Sequence, residues 1–195
     1  MMKGFHHIPE NMIDTAAVKP WFQGQSDHFL FQTNINIYKN HFGGIMVVKS
    51  LSLESHRVVY VTELGIKIFD MEFFKNGDFK LHYCMDEINK KYVIKTLKND
   101  LGLLLVSTPT GKKSDIWQDS QRQKTIVRSK DNIGLKSYII DEKTKKVEEI
   151  LVTKNLHKKM KVLFFSANGT ELDSVRIKHY KIKLNIQLSK LNDTR

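Results

Sequence analysis

The residues His82, Cys84 and Asp86 stand at alternate positions and form the one local grouping whose types suggest chemistry. On an extended strand, positions i and i+2 share a face, so the imidazole and the thiol are expected side by side. One chemistry this spacing suggests is metal ligation, which takes N and S ligands but asks for three or four of them. Two ligand types on one strand fall short of that number. Another is nucleophilic catalysis by a Cys84 thiolate, with His82 as the only local base to activate it. The plainer alternative is a half-buried cysteine, an exposed histidine and an aspartate capping a helix. The chain has no phosphate-binding glycine loop, no HExxH, no GxSxG and no paired CxxC. We therefore expect no catalytic residue, no metal and no cofactor.

Cations interleave with aromatic rings in two stretches. One is 122–130, with Trp117 nearby; the other holds Arg176, Lys178, His179, Tyr180, Lys181 and Lys183. Such mixtures contact nucleic acid through phosphates and stacked bases. The polyanion-binding alternative would use Arg122, Lys124, Arg128, Arg176 and Lys178. Alternating lysines also keep sheets soluble and protect their edges, and that reading weighs more here. The whole chain holds 32 Lys and Arg against 21 Asp and Glu, a formal charge of +11, which suits anionic partners or a solvated basic surface equally. A single cysteine excludes an intramolecular disulfide.

The elements that position these residues are mostly strands. From residue 29 the pattern has period two: Phe29, Phe31, Thr33, Ile35 and Ile37 on one face, Gln32, Asn34 and Asn36 on the other. A turn is expected at 40–44, then strands at 45–53, 56–63 and 66–74. Asn76-Gly77 is a hairpin signal, since both positions accept positive φ, and 79–84 follows. Residues 86–106 switch to helical spacing, with Ile94, Leu97, Leu101, Leu104 and Leu105 as the apolar stripe and Asp86 as N-cap. After a basic loop at 111–115, strands are expected at 122–128, 134–140, 147–153, 160–165, 172–178 and 180–188. The expectation is about eleven antiparallel strands split by one helix. In this chain of 195 residues, 1–28 read as an N-terminal arm in which 14–18 could make a helical turn, and 29–195 as a single domain.

Several strands are apolar on both faces, as in Ile45-Met46-Val47-Val48 and Val58-Val59-Tyr60-Val61. A sheet with one wet face does not need this. A second layer, a partner or an apolar cavity must cover the other face. Leu64-Gly65 sits in the turn between two such strands, where a leucine has little of its own sheet to pack on. It either protrudes or folds back into the core.

No run approaches the roughly 20 apolar residues of a membrane helix. The segment 1–11 lacks an apolar signal core. A cytoplasmic location is expected if the chain is full length, and an envelope location if a signal segment has been removed.

This order of strands, helix and strand meander resembles the lipoprotein-carrier fold of LolA and LolB. Tyr60-Val61-Thr62-Glu63-Leu64-Gly65 looks like the LolB segment in which a strand runs into a Pro-Leu-Gly turn, with Glu63 in place of the proline. Residues 66–73 are similar to the strand leaving that turn, and Val175-Arg176-Ile177 with 181–188 to the closing hairpin. The same pattern is similar to small envelope lipoproteins of the Bacteroidetes type. The resemblance implies an unclosed half-barrel with the helix on its concave face. It implies a monomeric, non-enzymatic binder of lipid or lipoprotein acyl chains, working at an anionic membrane surface in the periplasm or at the inner leaflet of the outer membrane. Phe31, Ile35, Met46, Tyr60, Phe69, Leu97 and Leu101 are the expected cavity lining, and Leu64 the membrane-insertion turn. The family's N-terminal helix and lipid-anchor cysteine are not evident in this chain.

Overall fold

A computed structural model describes residues 4–9, 18–22, 28–52, 55–105, 109 and 112–191, with the side chains of 112–114 excepted. The possible helical turn at 14–18 lies almost wholly outside the described residues. The fold class is mainly antiparallel β: the described residues form one helix and thirteen strands in an unclosed sheet. The chain forms two compact units, one of 1–21 with 107–183 and the other of 22–106 with 184–195.

The first unit holds β1 (His6–Ile8), β7 (Lys112–Asp119), β8 (Lys124–Lys130), β9 (Leu135–Asp141), β10 (Val147–Lys154), β11 (His157–Phe165) and β12 (Ser174–His179), hydrogen-bonded in that order. The second holds β13 (Leu184–Lys190), β2 (His28–Ile37), β3 (Asn40–Ser52), β4 (Ser55–Thr62), β5 (Lys67–Phe74) and β6 (Phe79–Cys84) in order, with α1 (Lys91–Leu105). Strands β1 and β7 exceed the expected eleven. The β7 sequence KKSDIWQD carries too few apolar residues to show a period of two, and 111–115 reads as loop for that reason. Its ladder to β8 makes it a strand nonetheless, and β1 pairs on its other side.

Three local expectations are corrected. The β2–β3 hairpin turns at Tyr38-Lys39, with Tyr38 at φ 53, so Gly43 and Gly44 lie inside β3 and not in a turn. A Cβ on Gly44 would stand 2.1 Å from the Val61 carbonyl oxygen; the glycine is there for close approach of β4. The helix begins at Lys91. Met85 to Asn89 closes a turn of its own, through Ile88 N–H and Asn89 N–H to the Met85 oxygen, so Asp86 is not its cap. The last strand starts at Leu184, leaving Tyr180 and Ile182 outside it.

Arm residues also enter the packing. In the first unit, the Trp21 indole N–H donates to the Val147 oxygen at 2.7 Å and its ring stacks on Phe164. In the second, Phe22 packs edge-on against Phe29 and Phe31.

Candidate functional site

Antiparallel register decides which side chains meet. Phe31 faces Met46, Met46 faces Tyr60, and Tyr60 faces Phe69. Four of the seven residues expected as cavity lining thus make one row across four neighbouring strands of the second unit. Ile35 stands two rungs away on the same face, opposite Phe42 and Ile186. All five are buried, as are Leu97 and Leu101 on α1. The helix lies on this inner face: a Cβ on Gly102 would meet the Phe73 ring at 3.8 Å, and the Lys98 ammonium sits 5.3 Å from the Phe79 ring centre. The buried seam of α1 uses Val93 where the spacing suggested Ile94, which is half-buried.

One polar atom breaks the row. The Tyr60 hydroxyl donates to the Phe42 carbonyl at 2.8 Å. Burial, with Glu63 adding repulsion, pushes its pKa up to about 12, so it stays a neutral donor. The rest of the row is hydrocarbon and thioether.

The other face of the same strands is half-buried and holds an ion cluster. Arg57 grips Asp70 through two hydrogen bonds of 2.8 and 2.9 Å, and Lys67 adds a third at 3.2 Å. The Arg57 hydrogen bond is the main reason the Asp70 carboxyl sits below its usual range.

His56 lies at the far end of the inner face, its Nδ1 3.1 Å from the Ser50 hydroxyl, which also donates to the Phe22 carbonyl. Burial lowers the His56 pKa. The unfolded chain therefore binds the proton first on acidification. Stability from this group is full above the ordinary histidine value of about 6.5, and is lost as pH falls from there through the folded value. Urea melts between pH 7 and 5 should show stability declining. His56→Asn should flatten that window while leaving the carboxylate-driven loss below about pH 4 in place. An unchanged slope in the variant would remove His56 as its source.

Leu64 occupies a turn held by three hydrogen bonds. Thr62 N–H donates to the Ile66 oxygen, Gly65 N–H to the Thr62 oxygen, and Ile66 N–H to the Thr62 hydroxyl. Gly65 supplies the positive φ of 81°. The leucine does not fold back: it is 89% exposed, and Ile66 is 54% exposed. By strand direction, the β2–β3 turn, the β4–β5 turn and the end of β6 all lie at one end of this unit. Tyr38 and Tyr83 are exposed there too.

His82 and Cys84 do not share a face. Leu81 pairs with Met71 and Tyr83 with Asp70, so His82 is the extra residue of a bulge. Its ring bonds Glu72 at 2.8 Å, whereas Cys84 stands opposite Phe69. Burial, then Asp86, raises the Cys84 pKa, which disfavours the thiolate. Among the described residues no group of three His, Cys, Asp or Glu is placed to hold a metal.

The polyanion contacts are spread out and largely engaged within the fold. Lys124 bridges Asp141 at 2.8 Å and Glu148 at 2.6 Å. Arg122 lies 3.4 Å from Asp119 and Arg128 3.8 Å from Asp115. Arg176 covers the Phe165 ring, and Lys178 lies near Tyr180 on β12, four strands from β8 in the ladder.

No protein-family model matches the chain, and no curated protein matches it. Solved structures do. One is a DUF1329 family protein from Desulfovibrio piger, with TM-score 0.44 and 8% identity over 86% of this chain and 85% of that one. Another is a domain from Vibrio parahaemolyticus assigned as an outer membrane lipoprotein-sorting protein, with TM-score 0.48 and 7% identity over 91% of this chain and 86% of that one.

Proposed function

We propose that this protein is a non-enzymatic carrier of lipid or lipoprotein acyl chains in a bacterial cell envelope, working in lipoprotein localisation or outer-membrane biogenesis. The observation that carries the reading is Leu64: an 89% exposed leucine on a turn held by three hydrogen bonds, on the same unit as an inner row of Phe31, Met46, Tyr60 and Phe69. A solvated leucine at an apex contributes nothing to its own core. It contributes on entering a membrane, where Tyr38 and Tyr83 would take the interfacial level at which aromatic residues settle.

The inner row supplies the apolar half of the activity. Phe31, Ile35, Met46, Tyr60, Phe69, Leu97 and Leu101 bind the chain. An acyl chain entering between the row and α1 meets the five strand residues on one side and Leu97 and Leu101 on the other. Each methylene sheltered is worth about 0.8 kcal/mol. Basic residues of the chain hold it at an anionic surface.

Native mass spectrometry of protein purified from cells, with extraction of any bound mass, tests the first half. A co-purifying fatty acid, phospholipid or lipopeptide is the expected result. Leu64→Glu tests the second. It should leave the thermal midpoint within about 2 °C, because the side chain packs on nothing, and should abolish transfer of an acylated peptide to vesicles. Full transfer by the variant would end the assignment of Leu64.

A further inference from the structure

The β10–β11 hairpin of the first unit departs from the residues its turn favours. Lys154 pairs with His157, so Asn155 and Leu156 alone make the turn, at φ 51 and 65. Both central positions of such a turn need positive φ, and glycine is favoured at the second. In the β5–β6 hairpin the positive φ, 90°, falls on a glycine, Gly77. Here a leucine takes the left-handed conformation against its own Cβ, and it is 101% exposed. Neither backbone geometry nor packing accounts for it.

Its surroundings are cationic. Lys154, His157 and Lys158 flank it and are exposed. Strand β12 runs beside β11, and the Tyr180 N–H donates to the Lys159 oxygen at 3.0 Å, which brings Tyr180 to the same end. Tyr180 is 42% exposed, and the Lys158 and Lys178 ammoniums stand 5.9 and 5.7 Å from its ring centre. Neither 154–161 nor 178–183 contains an acidic residue. Asp131, in the β8–β9 turn at this end, is held by Lys136 at 2.6 Å.

From this we infer that the β10–β11 tip is a second membrane-docking surface, with Leu156 entering the acyl region of an anionic bilayer, Tyr180 lying at the interface and Lys154, Lys158 and Lys178 meeting headgroup phosphates. The chemistry separates a bilayer from a nucleic acid. An aliphatic tip has no use in stacking on bases, and the Tyr180 ring is attended by cations, whereas lipid offers both a hydrocarbon layer and a negative surface. The inference is independent of acyl-chain carriage, since it needs only a surface of the first unit.

Sedimentation with phosphatidylglycerol–phosphatidylcholine vesicles tests it, against pure phosphatidylcholine vesicles and a single-stranded oligonucleotide. Glycine accepts positive φ, so Leu156→Gly should melt no lower than the parent and still bind anionic vesicles about tenfold more weakly. Lys158→Gln with Lys178→Gln should weaken binding roughly 25-fold at low salt, about fivefold for each lysine. Absence of binding to anionic vesicles, or equal binding by Leu156→Gly, overturns the inference. So does oligonucleotide binding as tight as vesicle binding and indifferent to Leu156. Leu64→Glu run in parallel keeps the two proposals apart: loss there alone leaves the Leu64 turn as the contact and removes this one, and loss only in the Leu156 variant does the reverse.

Discussion

Phe31→Ala is expected to cost about 3–5 kcal/mol of unfolding free energy, in the range of full truncation of a buried aromatic side chain. Phe31 is 0% exposed. It faces Met46 across one ladder and Lys190 across the other, and its ring meets those of Phe22 and Phe29. Its neighbours belong to paired strands, which restricts collapse into the vacated space, and the cost follows from that. Urea unfolding should show a lower midpoint at an unchanged slope. A loss below about 1 kcal/mol would mean that the site relaxes freely, against its placement in a close-packed row. The same substitution removes one wall of the proposed acyl site, so any co-purifying lipid should decline with it.

Gly44→Ala is expected to destabilise by about 3 kcal/mol, at the upper end of ordinary overpacking. The added Cβ would lie 2.1 Å from the Val61 oxygen and 3.0 Å from its carbonyl carbon. Those atoms are backbone, so no side-chain rotation relieves the clash, and the β3–β4 ladder must separate locally. Gly65→Ala supplies the contrast. It has nothing within 4 Å but a φ of 81°, and should cost about 1–2 kcal/mol through backbone strain alone. Guanidinium melts of the two variants should rank them in that order. A milder Gly44→Ala would show that β3 and β4 have slack at this crossing.

Much of the second unit is legible in the sequence because its strands alternate cleanly. Phe31, Met46, Tyr60 and Phe69 each stand on an apolar strand face, but alternation does not tell which face of a strand turns inward. What alternation cannot give is the register that makes them neighbours, since register depends on the lengths of turns. The turn at Tyr38-Lys39 is a case in point. Asn40 to Gly44 carries the residues that turns favour, yet the bend falls on a tyrosine, and the glycines serve a close strand crossing. Likewise β7 has one buried apolar residue, Ile116, among the residues whose side chains are described. It is a strand because β1 and β8 satisfy its backbone, a non-local fact. His82 and Cys84 show a similar limit: a period of two puts them on one face, and a single inserted residue separates them. Leu156 was hidden because Asn-Leu is not a turn signature; the sequence marks it only by the lysines around it.

An unclosed sheet has rims, and a rim is a template on which another chain can crystallise as one more strand. Strand β6 ends one side of this sheet with Lys80 exposed on it and the bulge at His82 tied back to Glu72. A bulge twists the rim and spoils the repeat that a newcomer would need, and a lysine makes its desolvation costly. The kink that parts His82 from Cys84 is in this sense a guard against polymerisation.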